Sequence, residues 1–373
     1  MAEYYPPQQK WERREPIEED MDPELIHDAV DFAKNNETDS LNRDFSDYGK
    51  QREDEGDYKA MSGPLPRERG GPSGVIIRNG HIVAEWGDLE RVDLTFSVTK
   101  SFLSTVGGVA YDQDLLGSVD DKVKEYVRDG GFDYSHNHEI EWENLFQQTS
   151  EWEGALFGRP DRVDRREGRD RELQSPGTFW EYNDVRVNRL SLSLLRLLQK
   201  PLPLVLKEEI MDPIGASNSW QWHGYDNSDV LIDSLTSNQK VKSVSGGGHW
   251  GGGLWINTLD LARVGQLYLT RGIWRNKQLI SEEWIDKAIS PCDIKPEYGY
   301  LWWLNTDQLL WPDVPETSFA ALGFGKNVIW VDPEHNIVTV LRWFDDASTS
   351  SKSDSMVLPN MNKLFRKITS SCN

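Results

Sequence analysis

Positive charge, cysteine and long apolar runs are all scarce in this chain, and each shortage removes a class of function. The 373 residues carry 41 Lys and Arg against 62 Asp and Glu, a formal net charge of −21. Binding to DNA, RNA or an anionic lipid surface requires clustered positive charge. The expected partner is therefore a small molecule, with no nucleic acid and no membrane, and composition leaves the oligomeric state open. Only two cysteines occur, Cys292 and Cys372, which argues against a disulfide framework and a cysteine-based zinc site. No run of about 18 apolar residues appears, so no ordinary membrane span is expected. The opening MAEYYPPQQKWERREPIEEDMD has no basic start followed by an apolar core, and the expected location is cytoplasmic. No G-x-x-x-x-G-K-[ST] phosphate loop exists. The one tight histidine pair, His136-Asn137-His138, lies in a polar stretch without a third ligand, so neither a metal nor a cofactor is expected.

Aromatic residues, in contrast, are plentiful. The 16 Trp and 12 Tyr exceed what a core of this size demands, and point to core packing plus an aromatic-lined cleft. Trp142, Trp152, Trp180 and Trp250 fall near the chemical motifs described below.

Residues 1–20 read as a polar surface arm, and 21–35 as a helix capped by Asp22 with Pro23 at its first position. Residues 36–72 are charged and lack periodicity, as in a long loop. Ser73–Arg78 and His81–Trp86 flank Asn79-Gly80 and predict a β-hairpin, because Asn-Gly favours the type I′ turn. Residues 102–111 form a strongly apolar helix. From about 115 to 245 helical signals dominate, including 187–198, until the glycine-rich GGGHWGGG at 246–253 interrupts. Residues 258–271 then predict an amphipathic helix behind a Thr258 cap. The last third returns to strands at 298–304, 327–331 and 337–343, closed by a helix over 356–368. Strands, then helices, then strands predict an α+β fold whose antiparallel sheet is built from both chain ends. The division expected is residues 1–100 with 246–373 as the sheet domain and 101–245 as a mainly helical one, with the active site in the cleft between them.

The sharpest local signal is Phe96-Ser97-Val98-Thr99-Lys100-Ser101-Phe102. A serine at the first turn of a buried helix lies beside unpaired backbone N–H groups at the positive helix end. A lysine three residues later shares its helix face. Set among Phe96, Val98, Phe102 and Leu103, that lysine is expected to be desolvated, which lowers its pKa and suits it to take the serine proton. The competing reading is a plain helix cap. Ser-x-x-Lys also occurs at Ser237–Lys240, but without an apolar helix behind it, so context selects Ser97.

Ser97-Val-Thr-Lys100 before a buried helix resembles the first motif of the serine β-lactamase and penicillin-binding superfamily. The branch it most resembles holds class C β-lactamases, D-amino-acid peptidases, β-lactamase-fold esterases and 6-aminohexanoate-dimer hydrolases. The resemblance runs over about residues 20–370. It rests also on GVIIRNGHIVAEWG, Leu145–Ser150, GGLWINTLDLARVGQLYL and LGFGKNVIWVDP, in the family's order. It implies a β-lactamase/transpeptidase-like fold, an antiparallel sheet flanked by helices with an inserted mainly helical region. The family's second motif, Tyr-x-Asn, has two candidates, Tyr182-Asn183-Asp184 and Tyr225-Asp226-Asn227. The surroundings of the first, SPGTFWEY followed by a helix, fit better. That choice makes Tyr182 share the general-base role and puts Asp184 where the family has Asn.

Nothing matches the family's third motif, Lys/His-Thr-Gly. The nearest equivalent is Ala321-Leu322-Gly323-Phe324-Gly325, where small residues would let substrate lie along an edge strand. Without a cation there, the site has less reason to prefer a substrate carboxylate. The oxyanion would be held by the Ser97 N–H and one N–H near Gly323–Gly325. His249 and Trp250, in the glycine-rich loop, are expected to line the substrate pocket, and Arg159–Arg171 to be a solvated loop at its mouth. The function implied is hydrolysis of an ester or small amide through an acyl-Ser97 intermediate. A β-lactamase or D-amino-acid peptidase is the alternative enzyme, and a catalytically silent binding protein of the same fold is the alternative of another class.

Overall fold

The computed structural model describes residues 4–8, 10–39, 42–45, 62–234, 237–249, 251–345 and 358–372. In chain order, the strands of its two larger sheets begin with β1 (Ser73–Arg78), β2 (His81–Trp86), β3 (Asp93–Leu94), β4 (Gln221–Ser234) and β5 (Ser237–Val244). They continue with β6 (Gly253–Ile256), β7 (Trp303–Leu304), β8 (Phe319–Gly323), β9 (Asn327–Asp332) and β10 (Ile337–Arg342). Five helices matter for the site and its support: α1 (Pro23–Lys34), α2 (Val98–Asp112), α3 (Asp184–Leu198), α4 (Thr258–Leu269) and α5 (Pro359–Thr369). The fold class is α+β.

The larger sheet has six antiparallel strands in the order β7-β8-β9-β10-β1-β2. Its central pairing joins chain segments far apart in sequence, with Val75 opposite Val340 and Ile77 opposite Val338. Both faces are covered, which is why β9 and β10 are buried along their whole length instead of alternating. Val75, Ile77, Ile329, Val331, Val338 and Val340 face a core that includes residues of α2 and α4. Ile76, Val328, Trp330 and Leu341 face a second core filled by Ile26, Ala29 and Val30 of α1 and Leu364, Phe365 and Ile368 of α5. The β1–β2 turn has φ 51° at Asn79 and 84° at Gly80, the left-handed pair that a type I′ turn requires. Asp22 caps α1 by accepting from the Glu24 and Leu25 N–H groups. In α4 the cap is Asn257, which accepts from the Asp260 N–H, one residue before the expected Thr258.

Three expectations are corrected. Residues 221–234 and 237–244 are the paired strands β4 and β5, which extend the second sheet in the order β3-β6-β4-β5. A register shift between Gly224 and Asp229 bulges β4 and breaks the alternation that would have marked it as a strand. The stretch 298–304 is a strand only at its end, because Leu301 turns the backbone at φ 62°. The N-terminal arm, expected to lie on the surface, is partly buried: Trp11 is buried, and its Nε1 donates to the Gly80 carbonyl at 2.7 Å. Arg263 holds the Pro6 and Pro7 carbonyls at 3.1 and 2.7 Å. Much of the 36–72 loop lies outside the described residues.

Helix α4 rests on the sheet through Gly265. A Cβ there would sit 2.6 Å from Val338 Cγ1 and 2.8 Å from Ile329 Cγ2, closer than packed carbons allow. Gly265→Leu is expected to lower stability by about 1–3 kcal/mol through overpacking. Urea denaturation checks this; an unchanged midpoint would mean the helix is free to lift from the sheet.

Candidate active site

The Ser97 turn is built by the small second sheet. Leu94 of β3 pairs with Trp255 of β6, and the Thr95 N–H donates to the Leu254 carbonyl at 2.9 Å. The Leu254 N–H in turn donates to Thr99 Oγ1 at 2.9 Å, clamping both ends of the turn. Between them Phe96 takes φ 50°, a left-handed conformation costing about 1–3 kcal/mol for a bulky residue. Edge-to-face contacts with Phe324 and Trp343 hold it there.

Ser97 occupies the N-cap position of α2, yet its side chain makes no capping hydrogen bond. Its Oγ instead accepts from Lys100 Nζ at 2.9 Å. The helix-cap reading is therefore not what the structure shows. Lys100 is 1% exposed. Its ammonium also donates to the Gly246 carbonyl at 3.3 Å, pairs with Asp184 Oδ1 at 2.6 Å, and lies 4.8 Å from the Tyr182 ring centroid. Burial pushes the Lys100 pKa down, as expected, but the Asp184 charge together with Tyr182 outweighs it, and the net shift is upward. The direction is opposite to the lowered lysine pKa expected from the apolar flanks. Burial alone would raise the Asp184 carboxyl; the Lys100 charge, seconded by His249, holds it well below the usual carboxylate range. Each group favours the charged form of the other.

Asp184 opens α3, where Asn183 is the cap and accepts from the Arg186 N–H. The glycine-rich loop packs directly on these groups. A Cβ on Gly247, at φ 88°, would collide with the Phe96 carbonyl, and one on Gly248 with the Asp184 carboxylate. These glycines are what lets the Gly246 carbonyl reach Lys100. Beyond them, His249 Nε2 lies 2.6 Å from Asp164 Oδ2 and Nδ1 lies 3.2 Å from the Tyr225 hydroxyl. Tyr225 itself donates to the Gly248 carbonyl at 2.6 Å, so the rival second-motif tyrosine braces the loop from behind. Ser237 and Lys240 lie on β5, not at a helix start.

Ser97, Tyr182, Asp184, His249, Gly323 and Phe324 line one cavity of about 530 Å³. Gly323 of β8 packs so closely on the Thr95 carbonyl that a Cβ would collide with it. Phe324 stands 46% exposed on the wall. Gly325 does not line the cavity; it turns at φ 69° against the Trp343 ring. Trp250 lies outside the described residues. Trp142 and Trp152 are core. Trp180 packs edge-on against Trp303, which stacks on Tyr182 at 6.0 Å and lines the cavity. Sequence reasoning missed Trp303 as a lining residue, together with Asp164 and Arg166.

Arg159–Arg171 is not simply a solvated loop. Arg159, Asp161 and Arg165 are buried, and Arg159 pairs with Asp164 at 2.7 Å. Beneath them Arg186, 2% exposed, pairs with Glu151 at 2.6 Å and with Glu181 and Asp161 at 3.2 Å. Arg171 joins Glu151 to Glu181 at 2.6 and 2.8 Å. The alternating charges that read as solvent-facing are the teeth of this buried network, which anchors the loop under Tyr182. Ligand atoms of Asp164, Asp184 and His249 lie within 4.8 Å of one another, a spacing a metal ion could use. Both carboxylates are already neutralised, by Arg159 and Lys100, and those cations oppose a divalent ion.

The profile of the β-lactamase family matches residues 68–353. The chain belongs to the β-lactamase family. It is thus a serine hydrolase by family. An uncharacterized protein of Alkalihalophilus pseudofirmus is 24% identical over 300 residues, covering 72% of this chain and 82% of that one. Among solved structures, a family VIII carboxylesterase superposes with a TM-score of 0.60 at 15% identity, covering 97% of this chain and 99% of the other. A D-stereospecific amidohydrolase from Streptomyces sp. gives 0.52 at 13% identity, covering 74% and 91%. These likenesses show the β-lactamase fold. Among the described residues no helix is long and apolar enough to cross a membrane.

The buried network makes a stability prediction. Glu151 has its pKa lowered from 4.5 to about 2, its guanidinium partners Arg171 and Arg186 overcoming burial, which alone would raise it. Its contribution is complete above the unfolded value and is lost as pH falls from about 4.5 toward 2. Glu151→Gln is expected to cost about 3–5 kcal/mol at neutral pH and to flatten the acid dependence of unfolding in that window. Thermal melts from pH 7 to pH 3 measure both.

Proposed function

We propose that this protein hydrolyses an ester or small amide through an acyl-Ser97 intermediate. The observation that carries the reading is the uncapped Ser97 hydroxyl, held at 2.9 Å by a buried ammonium at the wall of a cavity. Ser97 Oγ attacks the substrate carbonyl carbon. Because Lys100 is held charged, the base in this reading is Tyr182 as the phenolate, its own proton given to solvent beforehand and its charge held by the ammonium; it takes the Ser97 proton as the Oγ–carbon bond forms, and the ammonium then faces the developing charge. The carbonyl electrons move to an oxyanion facing the Ser97 N–H, which donates to no backbone carbonyl among the described residues. A second N–H comes from the Gly323–Gly325 turn. On collapse the alcohol or amine leaves with the proton from Tyr182, and water then releases the acyl group by the reverse path. The carboxylesterase and amidohydrolase among the structural neighbours fit this substrate class. Both cysteines are unpaired, which suits the cytoplasmic location we assign to this chemistry.

Hydrolysis of short-chain p-nitrophenyl esters tests the reading. Ser97→Ala, shown to be folded, is expected to lose roughly a thousandfold or more in kcat/KM. Unchanged turnover would remove Ser97 from the chemistry. Failure of a labelled fluorophosphonate to mark the folded protein would favour a silent binding protein.

Asp184→Asn makes a distinguishable prediction. Without the carboxylate, burial dominates and the Lys100 pKa falls below its wild-type value. If the ammonium form is the active one, the alkaline limb of kcat/KM against pH moves to lower pH in the variant. A gain of activity at neutral pH would instead assign the base role to neutral Lys100.

A further inference from the structure

The charge on the cavity wall runs against that of the chain. Its charged lining residues are Arg159, Asp164, Arg165, Arg166, Asp184 and Lys326, four cations and two carboxylates, in a chain of net charge −21. These cations differ in how far they are engaged. Arg165 is taken up by Asp161, with its Nη2 at 2.8 Å, and Arg159 by Asp164 at 2.7 Å. Arg166 is exposed; its charge is felt by Asp184, but Asp184 is contacted by Lys100 at 2.6 Å, which leaves the Arg166 fork turned to the cavity it lines. Its guanidinium lies 4.9 Å from the centroid of the Tyr182 ring, the same ring that Lys100 Nζ approaches to 4.8 Å. Its backbone is fixed, since the Arg166 N–H donates to Glu181 Oε1 at 2.9 Å and Glu181 belongs to the buried ion network. A guanidinium presented on an anchored loop beside the nucleophile is a fork for an oxyanion group. The cavity also has apolar lining, including Phe96, Leu322, Phe324 and Trp303.

Resting on the proposed hydrolase reading, we propose that the substrate is an anionic amphiphile. Its apolar acyl chain lies on Phe324 and Trp303, and a carboxylate or phosphate-type group is bound by Arg166. The missing cation of the third motif is thereby replaced from a different element, on the opposite side of Tyr182 in the sequence order of the site. An acidic protein with a locally cationic cleft also focuses its field there, which favours capture of anions at low salt.

The test compares p-nitrophenyl hexanoate with the mono-p-nitrophenyl ester of adipate, identical in chain length but for the terminal carboxylate. One charge-assisted Arg–carboxylate contact predicts a kcat/KM ratio of about 10–100 in favour of the anionic ester. The preference is expected to fall with added salt, to approach one in Arg166→Gln, to be expressed mainly in KM, and to return in part in Arg166→Lys. Equal rates for the two esters, or a preference indifferent to Arg166, would overturn the proposal. Binding is read separately in folded Ser97→Ala, by tryptophan fluorescence on titration with monomethyl adipate, methyl hexanoate and methyl 6-phosphonohexanoate. An Arg166-dependent preference for the anions without turnover in the wild type would sustain this proposal while defeating the hydrolase reading. Turnover with no anion preference in either assay would do the reverse. Tighter binding of the phosphonate than of the carboxylate would assign the anion as phosphate-type.

Discussion

A buried ammonium is the constraint around which this site is arranged. Removing a lysine charge from water costs several kcal/mol unless partners replace the lost hydration. Lys100 has three such partners, drawn from three places in the chain: the Ser97 hydroxyl, the Gly246 carbonyl and the Asp184 carboxylate. Each imposes its own condition. The hydroxyl must face Lys100 instead of capping α2, the loop at 246–248 must have no side chains, and α3 must begin at Asp184. The strained Phe96 and the close approach of Gly323 to Thr95 follow from the same need to bring the turn, the loop and the edge strand together.

Charge pairing continues outward in layers. Asp184 answers Lys100, Asp164 answers Arg159 and His249, and behind them Glu151, Glu181 and Asp161 answer Arg165, Arg171 and Arg186. Removing one member leaves an opposite charge stranded in low dielectric, so the network is stiff even if its net contribution to stability is small. Stiffness is what positions Tyr182, whose segment has almost no regular secondary structure of its own. The loop between Glu151 and α3 is held by ions in place of a ladder of backbone hydrogen bonds.

Local patterns were legible where local physics decides the outcome. The Asn79-Gly80 turn, the Asp22 cap, the amphipathic α4 and the apolar α2 could be read directly, since each depends on residues within a turn or two. That Ser97, Lys100 and Tyr182 would lie together was likewise readable, through spacing, apolar flanks and family motifs. What could not be read were relations between distant residues. The bulge in β4 hides its alternation. The charge state of Lys100 depends on a carboxylate 84 positions downstream, and a sequence shows burial more readily than pairing. Arg159–Arg171 looked solvent-facing because nothing in its composition reveals that Glu151 and Glu181 lie beneath it.

The central pairing of the sheet has a consequence for how the protein is made. Residues 73–78 find their partner strand only at 337–342, and Arg263 must exist before it can hold the arm at Pro6 and Pro7. During synthesis the hairpin β1–β2 leaves the ribosome with one apolar edge open, and keeps it open until nearly the whole chain has followed. For most of that interval the Ser97 turn already exists as sequence, but the glycine-rich loop and the edge strand that complete its surroundings do not. Assembly of the sheet and assembly of the candidate site therefore both wait on the last third of the chain, and a chain cut short before β10 has neither.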